Sequence, residues 1–590
     1  MPEGLPLALT MALTIASNKM AQKNVIVRNL KASESLGSCT VIASDKTGTL
    51  TVNEQTAKII ILPNNQEYKI SGTGFNFKGK VFGDNLDYAK EITLLGIINN
   101  ESQIDNQKLI GDSIDLAFKV LGKKLNVNDK DIKSLEIIPY ESENKYSAVF
   151  YEKDGQTYCT VKGSIDVVKT FCKNVNLNKS KNKFLELQEQ NEKLAKDGYR
   201  VIAVANGKVR KKAKYEIDDI KDLTFMGLVG FIDPIRKEAA VSINECKNAG
   251  IKVLMITGDH PLTALSIAKD LKLASKESDV ATGDEIEKEF EKGIANFDKF
   301  ISKKIIFARV TPVQKLLIVE SLKRQGEFVA VTGDGVNDAP ALKAANIGVA
   351  MGSGTDIARE TADMIIVDDN FKSIVSGIKE GRVAYANIRK IILFLISCGL
   401  AEVIFFCLSI IFNLPMPLIA IQLLWINVVT DGIQDFALSF EKAEEGVLKE
   451  KPRKPQESIF NKDLLEQICV FGLIIGLIIF IIWYILINYL NFEVSVARGY
   501  VMALMVFMQN IHVLNCRSEH KSAFSIPLKS NYLIVFGVLF SIVLQIIIME
   551  VNVFSKFLQT VSIPIIDLIY LFGISMLILI FVELYKLYRK

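Results

Sequence analysis

The sequence lacks the features that mark several common classes of protein. Its eight cysteines are scattered without a C-x-x-C pair, which excludes a zinc-ribbon pattern and gives no sign of a disulfide framework. The net charge is only +4, and no basic stripe with interleaved aromatic residues is present, so the sequence does not predict nucleic-acid binding. No internal repeat, low-complexity tract or signal peptide is recognisable.

Apolar residues are plentiful but unevenly distributed. They make up 49% of the 590 residues, and the mean hydropathy is +0.25, whereas 23% of residues are charged. Residues 18–387 are polar and lysine-rich, and residues 388–590 consist mostly of long apolar runs. A chain of this length exceeds one core. The pattern therefore predicts a soluble catalytic unit joined to a membrane domain.

The stretch Ser44–Thr51, reading SDKTGTLT, is the first candidate for chemistry. It follows an apolar, β-branched run that predicts a buried parallel strand, so Asp45 would stand at the carboxyl end of that strand. Gly48 allows a tight turn, and Thr47 offers a hydroxyl and a carbonyl beside the carboxylate. Such a carboxylate can attack a phosphoryl group, although a plain Asx turn after a strand is the alternative for the motif taken alone.

Three later segments repeat the pattern of an apolar strand followed by a polar loop, at residues 251–259, 305–315 and 328–342. Repeated strand–loop–helix units predict a doubly wound parallel sheet. Asp45 and Asp334 would then end adjacent strands, where two carboxylates with phosphate oxygens and water suit Mg²⁺. A turn-only interpretation of the loop TGDGVND remains open when that loop is taken in isolation.

Several of these motifs resemble one family. DKTGTLT resembles the phosphorylation signature of the P-type ATPases, and PEGLP at residues 2–6 resembles their fourth transmembrane helix in the type II cation pumps. GRVAYANIRK at residues 381–390 resembles the passage into the fifth membrane helix. PEGLP stands where heavy-metal pumps carry a Cys-Pro motif, so copper or zinc export is not expected.

The resemblance implies a multidomain α/β protein with an all-α membrane part. It implies a haloacid-dehalogenase-like, doubly wound phosphorylation domain, an inserted α+β nucleotide-binding domain and a bundle of transmembrane helices. The predicted bounds are a partial transmembrane helix at 1–18, the phosphorylation domain at 19–57 and 232–375, the nucleotide-binding domain at 58–231 and the membrane domain at 388–590.

The resemblance also implies ATP as substrate, Mg²⁺ as cofactor and a set of site residues. The catalytic residues would be Asp45, Thr257, Lys315 and Asp338, and the Mg²⁺ ligands Asp45, Thr47 and Asp334. The nucleotide and its phosphates would contact Asp115, Tyr140, Lys145, Lys162, Arg200, Thr257, Gly258, Asp259, Arg309, Lys315 and Asn337. For the residues of the inserted domain, an ordinary surface or core role is the alternative when each is taken alone.

Polar residues within the predicted membrane helices are candidates for an ion site, since such groups are costly unless partnered. Six spans are predicted, at 388–412, 418–438, 466–490, 498–516, 531–553 and 565–586. The candidate ligands are Glu3, Glu402, Asn427, Thr430, Asp431 and, with hydrogen bonding between helices as its alternative, Gln509. The resemblance favours Ca²⁺ as the transported ion, ahead of Na⁺, K⁺, Mn²⁺ and Mg²⁺. It also favours one ion per cycle, because Gly399 and Gln509 stand where the calcium pumps carry residues of a second calcium site.

Three interpretations follow for the whole chain. The first is ATP-driven cation transport in the plasma membrane with cytoplasmic catalytic domains, where a separate N-terminal segment would supply the actuator domain that removes the phosphate. The second is a membrane-tethered phosphatase, which Thr47 argues against because such enzymes carry a second Asp at that position. The third is a non-catalytic membrane interaction fragment.

Overall fold

The computed structural model describes residues 4–105, 108–128, 132–141, 143–176, 183–454 and 457–589. In chain order, the strands among these residues are β1 (Val25–Val27), β2 (Val41–Asp45), β3 (Thr56–Ile61), β4 (Glu67–Ile70), β5 (Val81–Phe82), β6 (Gln103–Asp105), β7 (Lys108–Ile110), β8 (Lys133–Glu141), β9 (Tyr146–Lys153), β10 (Gln156–Gly163), β11 (Cys172–Val175), β12 (Arg200–Lys208), β13 (Leu223–Ile232), β14 (Lys252–Ile256), β15 (Val280–Thr282), β16 (Ile306–Ala308), β17 (Val329–Gly333), β18 (Ile347–Met351) and β19 (Met364–Ile366).

The α-helices among the described residues are α1 (Leu5–Ala21), α2 (Leu30–Ser35), α3 (Asp87–Ile98), α4 (Ser113–Leu125), α5 (Ile165–Val168), α6 (Lys183–Lys196), α7 (Ala239–Asn248), α8 (Pro261–Asp270), α9 (Gly283–Glu291), α10 (Ile294–Ser302), α11 (Pro312–Arg324), α12 (Ala339–Ala344), α13 (Asp356–Thr361), α14 (Phe371–Ile411), α15 (Ala420–Val429), α16 (Asp431–Ser439), α17 (Lys462–Asn488), α18 (Val494–Cys516), α19 (Tyr532–Glu550), α20 (Asn552–Leu558), α21 (Ile565–Ser575) and α22 (Leu577–Tyr588).

The first sheet has the predicted doubly wound, mostly parallel arrangement. Its strand order is β1-β19-β18-β17-β2-β14-β16-β15, and only the β1–β19 pair is antiparallel. Successive residues of β2 point to opposite faces, so Val41 and Ala43 join one buried cluster and Ile42 joins another. With helices covering both faces, the central strands are buried throughout, which explains their continuous apolar sequence.

A second, largely antiparallel sheet is inserted between β2 and β14 of the first. Its order is β5-β4-β3-β13-β12-β10-β9-β8, with β11 alongside β13. The chain enters through β3 and leaves through β13, and these two strands pair directly. The connections therefore run side by side, with Val52 N donating to Pro234 O at 2.9 Å.

Helix α14 joins the first sheet to the membrane part. It is one continuous helix of 41 residues, about 60 Å long, so the predicted limits at 375 and 388 fall inside a single element. Five helical segments in the described chain are long and apolar enough to cross a membrane: 371–411, 462–488, 494–516, 532–550 and 565–588.

The remaining predicted span, 418–438, differs from a simple helix. It consists of the two short helices α15 and α16, which meet at Thr430. Thr430 Oγ1 lies 2.7 Å from Ile426 O, a local contact that competes with regular helical hydrogen bonding. The crossing of a membrane by this segment stays a prediction.

Candidate functional site

Asp45 lies where two neighbouring strands of the first sheet end together. It is the last residue of β2, in register with Ile256 on β14. Its backbone N donates to Thr332 Oγ1 on β17 at 3.0 Å, which connects the nucleophile candidate to the strand that ends just before Asp334. The carboxyl ends of adjacent parallel strands therefore bring Asp45 and Asp334 together, as predicted.

Three carboxylates and one lysine form the centre of this site. Oxygens of Asp45, Asp334 and Asp338 all lie within 4.8 Å of one another. Lys315 Nζ donates to Asp338 Oδ1 at 2.8 Å and to Thr332 O at 3.3 Å. Asp338 Oδ2 in turn accepts from the backbone N of Asp334 at 3.1 Å. Such a group of hard oxygens fits Mg²⁺.

Burial and neighbouring charges shift the pKa values of Asp45 and Lys315. It raises the pKa of Asp45 to about 6, although the Lys315 ammonium acts in the opposite direction. Burial by itself would lower the pKa of Lys315, but Asp45, Asp338 and Asp334 together raise that pKa above its ordinary value. Lys315 is therefore a permanent positive charge at the site.

The loop after Asp45 is shaped by Gly48. Gly48 has φ +75°, and a Cβ there would lie 3.1 Å from Asp334 Oδ2. Arg236, in the connection leaving the inserted domain, donates to Gly48 O at 3.1 Å and to Thr51 O at 3.2 Å. The half-buried Thr47 lies within this loop. The loop thus contacts both the carboxylate cluster and the inter-domain connection.

The remaining predicted residues of this domain lie on the surrounding loops. Thr257 is buried, and its Oγ1 accepts from Asp259 N at 3.1 Å across Gly258. Asp259 Oδ2 accepts from Lys46 Nζ at 2.6 Å, an ion pair that the sequence did not predict. The exposed Arg309 contacts this loop through its backbone N, which donates to Asp259 O at 3.0 Å, and Asn337 is exposed.

The inserted domain holds a cavity of about 600 Å³. All five residues predicted there line it: Asp115, Tyr140, Lys145, Lys162 and Arg200. The Lys162 ammonium donates to the Asp115 carboxylate and to the carbonyl of Asn99. Burial lowers the pKa of Lys162, while Asp115 acts to raise it.

A second cavity, of about 550 Å³, lies between the two catalytic domains. Arg200 and Ser164 line both cavities, and the second one extends to Lys46, Thr47 and Asp259 beside the carboxylate cluster. The two cavities are therefore neighbours, and the second one borders the loop that follows Asp45.

The predicted ion ligands of the membrane part that the structure describes come from the four helices α14, α15, α16 and α18 and from Thr430, where α15 meets α16. Gln509 on α18 connects two of them: its Nε2 donates to Glu402 Oε1 on α14 at 3.4 Å, and its Oε1 lies 2.7 Å from Thr430 Oγ1. Asp431 begins α16, and Asn427 is one turn earlier on α15. Glu3 lies outside the described residues.

Asp435, which the sequence analysis did not single out, lies one turn after Asp431 on α16 and is only 3% exposed. Residues i and i+4 share a helix face, so the two carboxylates lie on the same side of α16.

Comparisons with known proteins agree with this architecture. Three family models match: "haloacid dehalogenase-like hydrolase" over residues 284–378, "P-type ATPase, cytoplasmic domain N" over 90–238 and "Cation transporting ATPase, C-terminus" over 415–588. The fold and the site define a membrane protein that carries a haloacid-dehalogenase-like domain with an inserted nucleotide-binding domain.

Similar proteins identify the branch of the family to which this chain belongs. The chain is 35% identical to the Calcium-transporting ATPase of Bacillus subtilis over 97% of its own length and 66% of that protein. It is 35% identical to Calcium-transporting ATPase type 2C member 1 of Mus musculus, over 99% of its own length and 64% of that protein. It is 34% identical to Calcium-transporting ATPase 1 of Bacillus cereus, over 100% of its own length and 68% of that protein. It thus spans about two thirds of their length. The chain belongs to the type II, calcium-pump-like P-type cation-transporting ATPases.

Proposed function

We propose that this chain serves ATP-driven cation transport through an aspartyl-phosphate on Asp45, with Ca²⁺ as the cation and one ion per cycle. The observation that carries the proposal is the group of Asp45, Asp334, Asp338 and Lys315 at one edge of a parallel sheet. The same sheet is continuous, through α14, with a buried group of carboxylate and amide side chains.

In the proposed reaction, the Asp45 carboxylate attacks the γ-phosphorus of ATP and ADP leaves. Lys315 supports the charge that develops on the transferring oxygens, since phosphoryl transfer depends on positioning and electrostatic stabilisation. Asp338 orients Lys315 through the 2.8 Å contact. Mg²⁺, held by Asp45, Asp334 and the carbonyl of Thr47, would neutralise phosphate charge.

The two cavities support the role of ATP. The face of Tyr140 is half-exposed at the first cavity and can stack on a base. Lys162, Lys145 and Arg200 supply positive charge on the path toward Asp45, and Thr257 offers a hydroxyl close to the phosphoryl position. A nucleotide that spans the cleft would place its terminal phosphate beside the carboxylate cluster.

The nature of the membrane ligands supports a hard cation. Glu402, Asn427, Thr430 and Asp431 offer oxygen ligands of the type that Ca²⁺ takes. The relatives named above are called calcium-transporting, which favours this ion. Gly399, with open space where its Cβ would be, offers no side-chain ligand, and this supports one ion per cycle. We place the protein in the plasma membrane, with the catalytic domains on the cytoplasmic side where ATP is available.

Labelling by [γ-³²P]ATP tests the proposal. The purified chain should form an acid-stable, hydroxylamine-sensitive phosphoenzyme that depends on Mg²⁺ and responds to Ca²⁺ over Na⁺, K⁺ and Mn²⁺. Asp45→Asn should abolish the label. Labelling that survives this substitution would refute the assignment of the nucleophile, and rapid hydrolysis of p-nitrophenyl phosphate without a stable phosphoenzyme would favour the phosphatase interpretation.

A further inference from the structure

The short helix α20 has an apolar face that is turned away from the protein. The helical segments on either side of it, α19 and 565–588, are candidate membrane spans. The extended backbone of Val551 (φ −86°, ψ 111°) makes the chain turn between α19 and α20. The exposed fractions are 75% for Val553, 49% for Phe554 and 68% for Phe557, and Leu558 is the buried residue of the helix. Most of its apolar surface is therefore not covered by the rest of the chain.

The sequence of α20 divides into two faces. At 3.6 residues per turn, a sector of about 140° holds its four apolar residues, which are Val553, Phe554, Phe557 and Leu558. A sector of about 100° on the opposite side holds its three polar residues, which are Asn552, Ser555 and Lys556. Aromatic and aliphatic residues on one face and a basic residue on the other are typical of helices that lie in the plane of a membrane boundary.

α20 lies at the membrane boundary that is farther from the catalytic domains. α14 begins beside β1 and α2 of the first domain and ends about 60 Å away at Ile411. Residues 412–419 then lead into α15, whose first turn contains the buried Gln422. Gln422 Nε2 donates to Leu558 O at 3.1 Å and to Gln559 O at 3.3 Å, which fixes the end of α20 to the start of α15.

The length of α19 places α20 at the edge of the hydrocarbon. α19 has 19 residues and is about 28 Å long, close to the hydrocarbon thickness of about 30 Å. Polar residues flank α20 at this level, where Ser562 Oγ donates to Glu550 Oε1 at 2.7 Å. The exposed face of α20 thus meets the zone between acyl chains and headgroups.

Phospholipid is the occupant that fits this face. The exposed apolar surface continues onto Ile565 and Ile566 at the start of α21, which are 68% and 59% exposed. It is therefore continuous with the surface of a candidate membrane span. Lys556 is exposed on the polar side, and a lysine at a membrane boundary can extend its ammonium group toward a headgroup phosphate.

We propose that α20 is an interfacial phospholipid-binding helix, which places Val553, Phe554 and Phe557 against the headgroup end of the acyl chains. Through Gln422, the bound lipid holds the start of α15, which is one half of the broken helix pair α15–α16. The inference goes beyond the proposed function and does not depend on which ion is transported.

Quenching by brominated phospholipids in reconstituted bilayers tests the lipid contact. Phe557→Trp and Phe554→Trp should add emission, relative to the unmodified chain, that bromines near the headgroups quench more than bromines near the bilayer centre. Phe540→Trp is the matched control, because Phe540 is 43% exposed and lies midway along α19, so deep bromines should quench its emission more. If the emission from α20 is not quenched, or is quenched more by deep bromines, the inference is overturned.

Hydrogen exchange in the same bilayers tests the link to α15. The double variant Phe554→Ser/Phe557→Ser should speed amide exchange in the first turn of α15 by about fivefold or more, as should Gln422→Ala. Phe554→Leu/Phe557→Leu keeps the face apolar and should keep exchange slow, and Phe540→Ser should leave this turn unchanged. Unchanged exchange in the double Ser variant, or an equal increase in Phe540→Ser, would show that lipid at α20 does not hold α15.

Discussion

Lys315 and Asp338 form a buried ion pair with Nζ and Oδ1 2.8 Å apart, and each side chain is less than 15% exposed. Lys315 comes from α11 and Asp338 from the loop after β17, so the pair joins a helix to a loop at the edge of the sheet. Asp338 also accepts from the backbone N of Asp334 and of Gly335. One carboxylate therefore positions both the positive charge and the second acidic residue of the site.

Lys315→Met should reduce phosphoenzyme formation by about 100-fold or more, because a preorganised charge at the transferring phosphoryl group is lost. Three neighbouring carboxylates would also lose their counter-charge, so the thermal unfolding midpoint should fall. Quench-flow labelling with [γ-³²P]ATP measures the first effect and scanning fluorimetry the second.

The double variant Lys315→Met/Asp338→Asn is the control for that prediction. Removing both charges should restore much of the lost stability, since the buried pair is broken on both sides, while phosphorylation stays impaired. Recovery of phosphorylation along with stability would show that Lys315 acts only on the fold.

Gly48→Ala should slow phosphoenzyme formation by about tenfold and raise the Mg²⁺ concentration it requires. The left-handed backbone disfavours Ala by about 1–2 kcal/mol, and the new Cβ would press on Asp334 Oδ2. Gly326→Ala is the matched control, because Gly326 has φ +84° in the same domain but no atom within 4 Å of its Cβ position. Equal effects of the two substitutions would mean that backbone strain alone is responsible.

The phosphorylation domain could be predicted closely from the sequence. The apolar strands are buried on both faces, and the polar loops follow them directly, so a doubly wound parallel sheet with polar loops at one edge could be expected. The structure places Asp45 and Asp334 at the ends of the adjacent strands β2 and β17. The ion pair of Lys46 with Asp259 could not be predicted, because it depends on how two loops face each other.

The membrane part was less predictable. Hydropathy locates apolar helices but not their faces, so the break at Thr430 and the burial of Asp435 emerge only from packing. Gln509 could be flagged as polar, but its link from Glu402 to Thr430 requires the mutual rotation of three helices.

Tyr140→Ala should weaken ATP binding by about 2- to 10-fold, the range expected from losing an aromatic stacking contact of about 0.5–1.5 kcal/mol. Tyr140→Phe keeps the ring and should retain the affinity. Displacement of a fluorescent ATP analogue measures both. If the two variants bind alike, the ring does not contact the base.

The affinity for ATP should fall at alkaline pH, beginning below the pH at which an ordinary lysine loses its proton. The pKa of Lys162 is lowered by burial, so its charge, which attracts the phosphates, disappears earlier as pH rises. Lys162→Arg should keep its charge and flatten the profile over the same range. A profile that is unchanged by this substitution would exclude Lys162 as the titrating group.

Thr430→Val should weaken Ca²⁺ binding by about 5- to 150-fold. The hydroxyl lies 2.7 Å from both Gln509 Oε1 and Ile426 O, so its removal takes away the donor that these two buried oxygens share, at a cost of about 1–3 kcal/mol. Thr430→Ser keeps the hydroxyl and should bind within about twofold of the unmodified chain. Ser541→Ala removes a hydroxyl that donates to Val429 O at 2.6 Å from α19, so it tests the loss of a similar hydrogen bond that does not involve Gln509. Weaker binding in Thr430→Val but not in Ser541→Ala would show that the Thr430 hydroxyl is needed at the ion site, as a ligand or through its contact with Gln509. Equal losses in both would assign the effect to helix packing.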